Sequence, residues 1–307
     1  MHISVNHAME RRIGIFPAGF DRDGLLFCNQ SFADYPVIIP DGRFAPNDIK
    51  PKYMLLSYRK AVAASSELKN HPARLAANED ICTWWCARGG SGEWLQMDLG
   101  KSYTPHSIQL NFAEEKIKPL KMPKEECSGD FATGYRYTDS GNELRTRYVV
   151  EGSLDGESWF SVFDGSKLEN DRSHPYLILN ETYTLRYIRV TALELPYGSR
   201  FALSGLRVFG LDNGMKPAEL RKAQVHFEDA MTCRLWWDKQ ENALGYNIRY
   251  GIAPDKLYSS HLVYEENTVL LTALNAGQEY FFAIDSFNES GVTEGQIQAM
   301  SCFSSVG

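Results

Sequence analysis

Thr83-Trp84-Trp85-Cys86-Ala87-Arg88-Gly89-Gly90-Ser91-Gly92-Glu93-Trp94-Leu95-Gln96-Met97-Asp98-Leu99-Gly100 decides how the chain is read. A Gly/Ser loop joins two aromatic-rich runs. In the second run Trp94, Gln96 and Asp98 point one way and Leu95, Met97 and Leu99 the other, the period of two that marks a strand. Gly100-Lys101 is expected to turn the chain, and Ile108, Leu110 and Phe112 repeat the alternation in the next strand. Burying one aromatic ring removes roughly 150–250 Å² from water, worth about 4–6 kcal/mol at ~25 cal/mol/Å². Trp84, Trp85 and Trp94 are therefore expected to anchor a β core. Of the three, Trp84 is the ring best placed to stay exposed for ligand stacking.

Outward from this stretch, composition narrows the class. The chain has 307 residues, 43% apolar and 23% charged, and a net charge of -7. Its length allows two domains. A polyanion partner would want a basic face, so nucleic acid is not an expected partner. No apolar run approaches the length of a membrane span. Met1-His2-Ile3-Ser4-Val5-Asn6-His7 lacks a basic region followed by an apolar core, so it does not read as a signal peptide. Cysteines stand at 28, 82, 86, 127, 233 and 302. Cys82 and Cys86 have no matching pair, and His71 and His106 are not at zinc spacing, so buried free thiols are expected.

Within residues 53–212 no stretch sustains a 3.6-residue apolar period. Residues 1–52 give one hairpin, with Asp21-Arg22-Asp23-Gly24 at its turn, and a Pro-rich connector. A lone hairpin is marginal in water and must pack on something. Residues 53–212 read as about eight short strands at 53–57, 94–99, 107–112, 147–153, 160–164, 177–179, 187–192 and 203–209. Asp155-Gly156 marks a hairpin turn, and 113–146 is a long charged insertion. Residues 213–219 read as a linker. Beyond it, strands at 225–227, 233–237, 245–251, 269–274 and 280–287 suit an immunoglobulin-like sandwich. The expected fold is all-β: a discoidin-like jelly-roll sandwich (53–212), an immunoglobulin-like sandwich (213–307) and a short N-terminal hairpin segment (1–52).

Three stretches carry a resemblance. Leu274-Asn275-Ala276-Gly277-Gln278-Glu279-Tyr280-Phe281-Phe282-Ala283-Ile284, continuing to Gly291, resembles the end of a fibronectin type III domain. Six motifs resemble a discoidin (coagulation-factor type C) domain, a fold that also houses carbohydrate-binding modules. They are Ala63-Ala64-Ser65-Ser66, Asn78 to Trp85, Trp94 to Gly100, Ser153 to Trp159, Arg186-Tyr187-Ile188-Arg189-Val190 and Leu203 to Gly210. Phe16-Pro17-Ala18-Gly19-Phe20-Asp21-Arg22-Asp23-Gly24, with Asp34-Tyr35-Pro36, resembles the last propeller strands of family 43 glycoside hydrolases, the xylosidase/arabinosidase group.

The whole chain thus resembles the C-terminal half of such an enzyme. Glycoside hydrolysis needs two carboxylates held across the scissile bond. In the resembled family these come from earlier propeller blades, so this chain is expected to be non-catalytic, although a full-length parent would be a hydrolase. The resemblance implies a carbohydrate-binding accessory role in xylan or arabinan degradation. The implied partners are a plant-cell-wall oligosaccharide or polysaccharide and a catalytic propeller domain. The location would be extracellular or periplasmic if the chain is part of a longer secreted one. The alternative is a structural or protein-interaction module pair without a sugar ligand.

In related modules an aromatic face stacks on the sugar while Arg, His and Asn bond its hydroxyls. The matching candidates are His71, Trp84, Arg88, Tyr197 and Arg200. Related modules also often hold a structural calcium, for which Asn78, Asp80 and Thr83 are the candidate ligands. Asn78 stands where the family usually has Asp, and Gly205 where it has Glu. Losing two carboxylates weakens a hard-cation site.

Overall fold

A computed structural model describes residues 16–39, 41–42, 50–113, 115, 120–121, 135–136, 145–169, 174–196 and 199–300. Among these, 55–210 form one compact unit, and 16–54 with 211–300 form a second. The described residues are nearly all strand and turn, with one 3₁₀ helix at Ala73–Ala77.

In the first unit, one antiparallel sheet runs in the order Phe160–Asp164, Arg147–Ser153, Leu185–Glu194, Trp94–Tyr103, Ala61–Ala64. The facing sheet carries Tyr176–Ile178, Pro105–Phe112 and Ala202–Gly210, with Trp85–Cys86 beside the last. The alternation places Leu95, Met97 and Leu99 fully inside against Ile108, Leu110, Leu206 and Val208 of the other sheet. Side chains from both inner faces form a single core, which defines a β-sandwich.

Sequence and structure part at two points here. Gly100-Lys101 does not turn the chain: Trp94–Tyr103 is one strand of 10 residues. Pairing with Leu185–Glu194 skips from Asp98–Tyr187 to Tyr103–Leu185. Gly100, at φ +88°, therefore makes a bulge, and its N–H donates to Asp98 Oδ1 at 2.8 Å. The three Trp also do not anchor the core equally. Trp85 is fully buried, edge-on to Phe201 at 5.0 Å, whereas Trp84 and Trp94 are half-buried.

Asp155-Gly156 turns the hairpin as read, with Gly156 at φ +83°. Hydrogen bonds from the Ser158 and Glu157 N–H groups and the Ser153 hydroxyl hold the Asp155 carboxyl well below the usual carboxylate range. Most of the 113–146 insertion lies outside the described residues. Within it, Leu120–Lys121 pairs with Tyr135–Arg136.

In the second unit, a three-stranded sheet (Gln224–Asp229, Thr232–Trp236, Thr268–Leu271) faces a five-stranded one. The latter runs Ser259–Tyr264, Gly245–Gly251, Tyr280–Asn288, Gly291–Thr293, with Gln298–Met300 also on Tyr280–Asn288. Trp237, Tyr246, Ile248, Phe282 and Ile284 fill the core. Tyr280 Oη accepts the Asn275 N–H at 3.0 Å, tying the start of its strand back to the preceding corner, as in immunoglobulin-like sandwiches.

The N-terminal hairpin, Ala18–Phe20 with Leu26–Cys28, belongs to this unit. Phe27 stacks on Tyr258 at 4.2 Å, and Phe32 meets Phe287 edge-on at 5.3 Å. Tyr258 Oη donates to Asp21 Oδ2 at 2.9 Å, and Lys256 pairs with Asp21 at 3.3 Å. This contact is what lets a marginal hairpin persist. Among the described cysteines, Cys86 and Cys233 are buried, Cys28 is half-buried and Cys82 is exposed, and none is in a disulfide. No helix among the described residues is long and apolar enough to cross a membrane.

Candidate functional site

Three loops of the first unit converge: 65–72, 84–93 and 199–201. Their backbones are laced together. Leu68 N–H donates to Cys86 O at 2.9 Å and Cys86 N–H to His71 O at 3.1 Å. Phe201 N–H donates to Gly89 O at 2.9 Å, and Ala87 N–H to Phe201 O at 2.8 Å. A Cβ on Gly90 would lie 2.7 Å from Ser199 O, so only glycine allows the two loops this close. From below, the buried Trp85 Nε1 donates to Ser66 O at 3.1 Å.

On this platform His71 and Trp84 stack, ring centroids 4.4 Å apart. His71 Nδ1 lies 3.1 Å from Trp84 O. A carbonyl only accepts, so Nδ1 carries the proton and Nε2 of the neutral ring is left as an acceptor. Trp84 is half-buried with one face covered by the imidazole, so it is half of an imidazole–indole pair and not a free-standing platform. Its Nε1 has no hydrogen-bond partner among the described residues.

Arg88 is exposed on the adjoining turn. Its backbone N–H donates to Ser66 Oγ at 2.9 Å, and its Nε reaches Glu67 O at 3.4 Å. Its guanidinium has no carboxylate partner among the described residues. The Arg200 N–H donates to Glu115 O at 3.3 Å, which fixes the backbone beside Ser199. Tyr197 lies outside the described residues. Of the five sugar-site candidates, the fold therefore stacks His71 on Trp84 and sets Arg88 and Arg200 on the loops laced to them.

Glu93 is the residue the sequence reading did not single out. Its carboxylate accepts from Ser65 Oγ, from Ser66 Oγ at 2.8 Å and from the Gly89 N–H at 3.0 Å. It thereby ties 65–66 to 88–89. Burial pushes its pKa up, but the Ser65, Ser66 and Gly89 hydrogen bonds and the nearby Arg88 charge outweigh this and leave it lowered. The only signal in the sequence was an acidic residue closing a Gly-Ser-Gly turn.

A depressed folded pKa contributes stability that is complete above the unfolded value, about 4.3. That contribution is lost as pH falls through the folded value. The thermal midpoint is therefore expected to fall between about pH 5 and pH 3. Glu93→Gln, which keeps the shape without the charge, is expected to flatten that part of the profile. An unchanged slope in the variant would remove Glu93 from this role.

The calcium candidates make a different structure. Asn78 Nδ2 donates to Thr83 Oγ1 at 2.9 Å, and Asn78 Oδ1 accepts the Asp80 N–H at 3.1 Å. Asp80 Oδ1 accepts the Cys82 N–H at 2.9 Å, and Thr83 Oγ1 donates to Asp80 O at 3.2 Å. The side-chain oxygens are thus used in closing the loop on itself. Glu79, at φ +59°, turns its carboxylate the other way, onto Arg207 at 2.9 Å. Among the described residues no three His, Cys, Asp or Glu side chains gather as a metal set. Asp80 alone is too little charge for a hard cation, so these residues do not fit calcium.

The chain matches no family model and no curated protein. Among solved structures it is similar to chitosan-binding module 1 of a chitosanase/glucanase from Paenibacillus sp. IK-5, at 18% identity, over 51% of this chain and 99% of that one, with TM-score 0.38. It is also similar to the family 32 carbohydrate-binding module of NanJ from C. perfringens, solved in complex with galactose, at 19% identity, over 51% of this chain and 98% of that one, with TM-score 0.36.

Proposed function

We propose that the 55–210 sandwich binds a carbohydrate through its 65–72, 84–93 and 199–201 loops, as a non-catalytic accessory region. The observation that carries this reading is the His71–Trp84 stack beside the exposed Arg88. An aromatic pair offers an apolar surface to the C–H face of a sugar ring. The His71 Nε2 acceptor and the Arg88 fork supply the hydrogen-bonding groups that orient hydroxyls.

The finer reading is that the parent is a family 43-like glycoside hydrolase acting on plant xylan or arabinan. The six discoidin-like motifs and the propeller-like stretch 16–36 support it. A monosaccharide at roughly 0.3–0.4 kcal/mol per heavy atom gives a Kd near the millimolar range. Such a site is useful when tethered to a catalytic domain, which raises its effective concentration.

The test is titration calorimetry with xylo- and arabino-oligosaccharides, preceded by a glycan array. Wild type is expected to bind saturably, and Trp84→Ala to weaken binding at least about tenfold, or ~1.4 kcal/mol. No glycan hit on the array overturns the carbohydrate reading. Release of sugar from a chromogenic xyloside by the purified chain overturns the non-catalytic one.

A further inference from the structure

The second unit contains a cavity of about 520 Å³ that neither the motifs nor the proposed site accounts for. Its floor is the outer face of the five-stranded sheet. Tyr246, Ile248 and Ile284 point into the core, so the alternating Asn247, Arg249 and Asp285 point out, and all three line the cavity. The segments 29–32 and 50–52 and residues 290–294 close its sides.

The floor is a built polar layer. Arg249 donates from Nε and Nη2 to the two oxygens of Asp285 at 2.6 and 2.7 Å. Asn247 is 1% exposed, and its Nδ2 donates to Asp285 at 3.3 Å. With the amide nitrogen held there, Oδ1 is the free end, and it accepts no hydrogen bond among the described residues. A buried acceptor left alone is unfavourable by about 1–3 kcal/mol, so its persistence calls for a donor.

At the rim, Lys50 and Arg249 are engaged by Glu294 and Asp285. Lys216 is different. Its stem lies across Gly291, where a Cβ would stand 2.7 Å from Lys216 Cε, and its ammonium has no carboxylate partner among the described residues. Four cations (Lys50, Lys52, Lys216, Arg249) and three acids (Asp255, Asp285, Glu294) line the cavity, leaving one net positive charge. Phe32, Leu257 and Val292 give it an apolar wall.

A buried acceptor, an apolar wall and one net positive charge describe a hydroxylated ring with a single negative charge. We propose that this cavity is a second binding site, separate from the end loops of the first unit, for a sugar acid of hexuronate size. The carboxylate sits on Lys216 and a ring hydroxyl donates toward Asn247. The volume lies within the range of ordinary ligand pockets, roughly 300–1,000 Å³.

Calorimetry on the full chain with sodium D-glucuronate tests this, with methyl β-D-glucuronide standing for the same group at a saccharide end and D-glucose as the uncharged control. Saturable binding of either acid is expected, weakened about tenfold by Lys216→Met, as for loss of a charge-assisted hydrogen bond. D-glucose is expected to bind as weakly to wild type as the acids bind to the variant. Lys216 is exposed, so the variant folds, and Trp84→Ala is expected to leave glucuronate binding unchanged. Absence of binding by both acids overturns the proposal. So does equal binding by wild type and Lys216→Met, or loss of binding in Trp84→Ala, which would assign the ligand to the first unit.

Discussion

Glu79→Ala is expected to lower the unfolding free energy of the first unit by about 3–5 kcal/mol, the usual result of removing one member of a buried ion pair. The Arg207 side chain is 8% exposed and that of Glu79 13%, with Nη2 and Oε2 2.9 Å apart. Nη1 donates to Gln109 Oε1 at 2.9 Å, and the guanidinium lies over the Phe209 ring at 4.9 Å. Without Glu79, the guanidinium under the 78–83 loop loses the carboxylate that stands 2.9 Å from it. Glu79 also holds a left-handed backbone conformation, φ +59°, that its pairing stabilises.

The effect is read from the urea midpoint followed by intrinsic tryptophan fluorescence. The double variant Glu79→Leu/Arg207→Met is expected to recover most of the loss, because it removes both charges and refills the space. Calcium or a chelator is expected to leave the wild-type midpoint unmoved. A midpoint that rises with calcium would show that the loop is a cation site after all. An internal guanidinium neutralises the Glu79 carboxylate that a bound metal could otherwise take.

This pair illustrates why part of the site was hidden in the sequence. Residues 79 and 207 are 128 apart, and nothing local marks Glu79 as facing Arg207. Glu93 was likewise hidden, because its three partners come from two other loops. The alternation at 94–99 and 107–112 was legible because period two depends only on neighbours along the chain, and burial on one face enforces it. The Asp155-Gly156 turn was legible for the same reason.

The Gly100 bulge was not legible. A positive-φ glycine ends one strand and kinks another, and only the partner strand decides between them. Ser259–Tyr264 was missed as a strand because its Ser-Ser-His start carries little β propensity, and pairing with Gly245–Gly251 supplies the order. The place of the N-terminal hairpin could not be read either: its partners begin more than 200 residues later, at Lys256 and Tyr258.

The segment that follows that hairpin sets the second large effect. Phe287→Ala is expected to destabilise the second unit by about 3–5 kcal/mol, as for a fully buried aromatic cut to a methyl. Phe287 has no exposed surface and sits at the junction of two chain segments. Its ring meets Phe32 at 5.3 Å, Tyr35 at 6.3 Å and Tyr264 at 5.7 Å, all edge-on. Tyr35 and Tyr264 share a hydroxyl hydrogen bond at 2.9 Å above it. The ring is thus what Phe32 and Tyr35 grip on the sheet's outer face. The ring packs directly over the bare Gly245, where a Cβ would lie 2.6 Å from Phe287 Cζ, so its loss also leaves a cavity over that strand.

Two measurements check it together. Amides of Gly245–Gly251 and Tyr280–Asn288 are expected to exchange faster in the variant, while those of Trp94–Tyr103, in the other unit, keep their protection. Limited proteolysis is expected to cut within 29–39 in Phe287→Ala and not in wild type, because Phe32 and Tyr35 lose the ring they pack on, while the 18–28 hairpin keeps its contacts with Tyr258 and Lys256. Phe287→Leu retains most of the volume and is expected to lose less than half as much. Should proteolysis of 29–39 proceed equally in wild type and variant, that segment is not held by this contact, and the aromatic cluster belongs to the sheet alone.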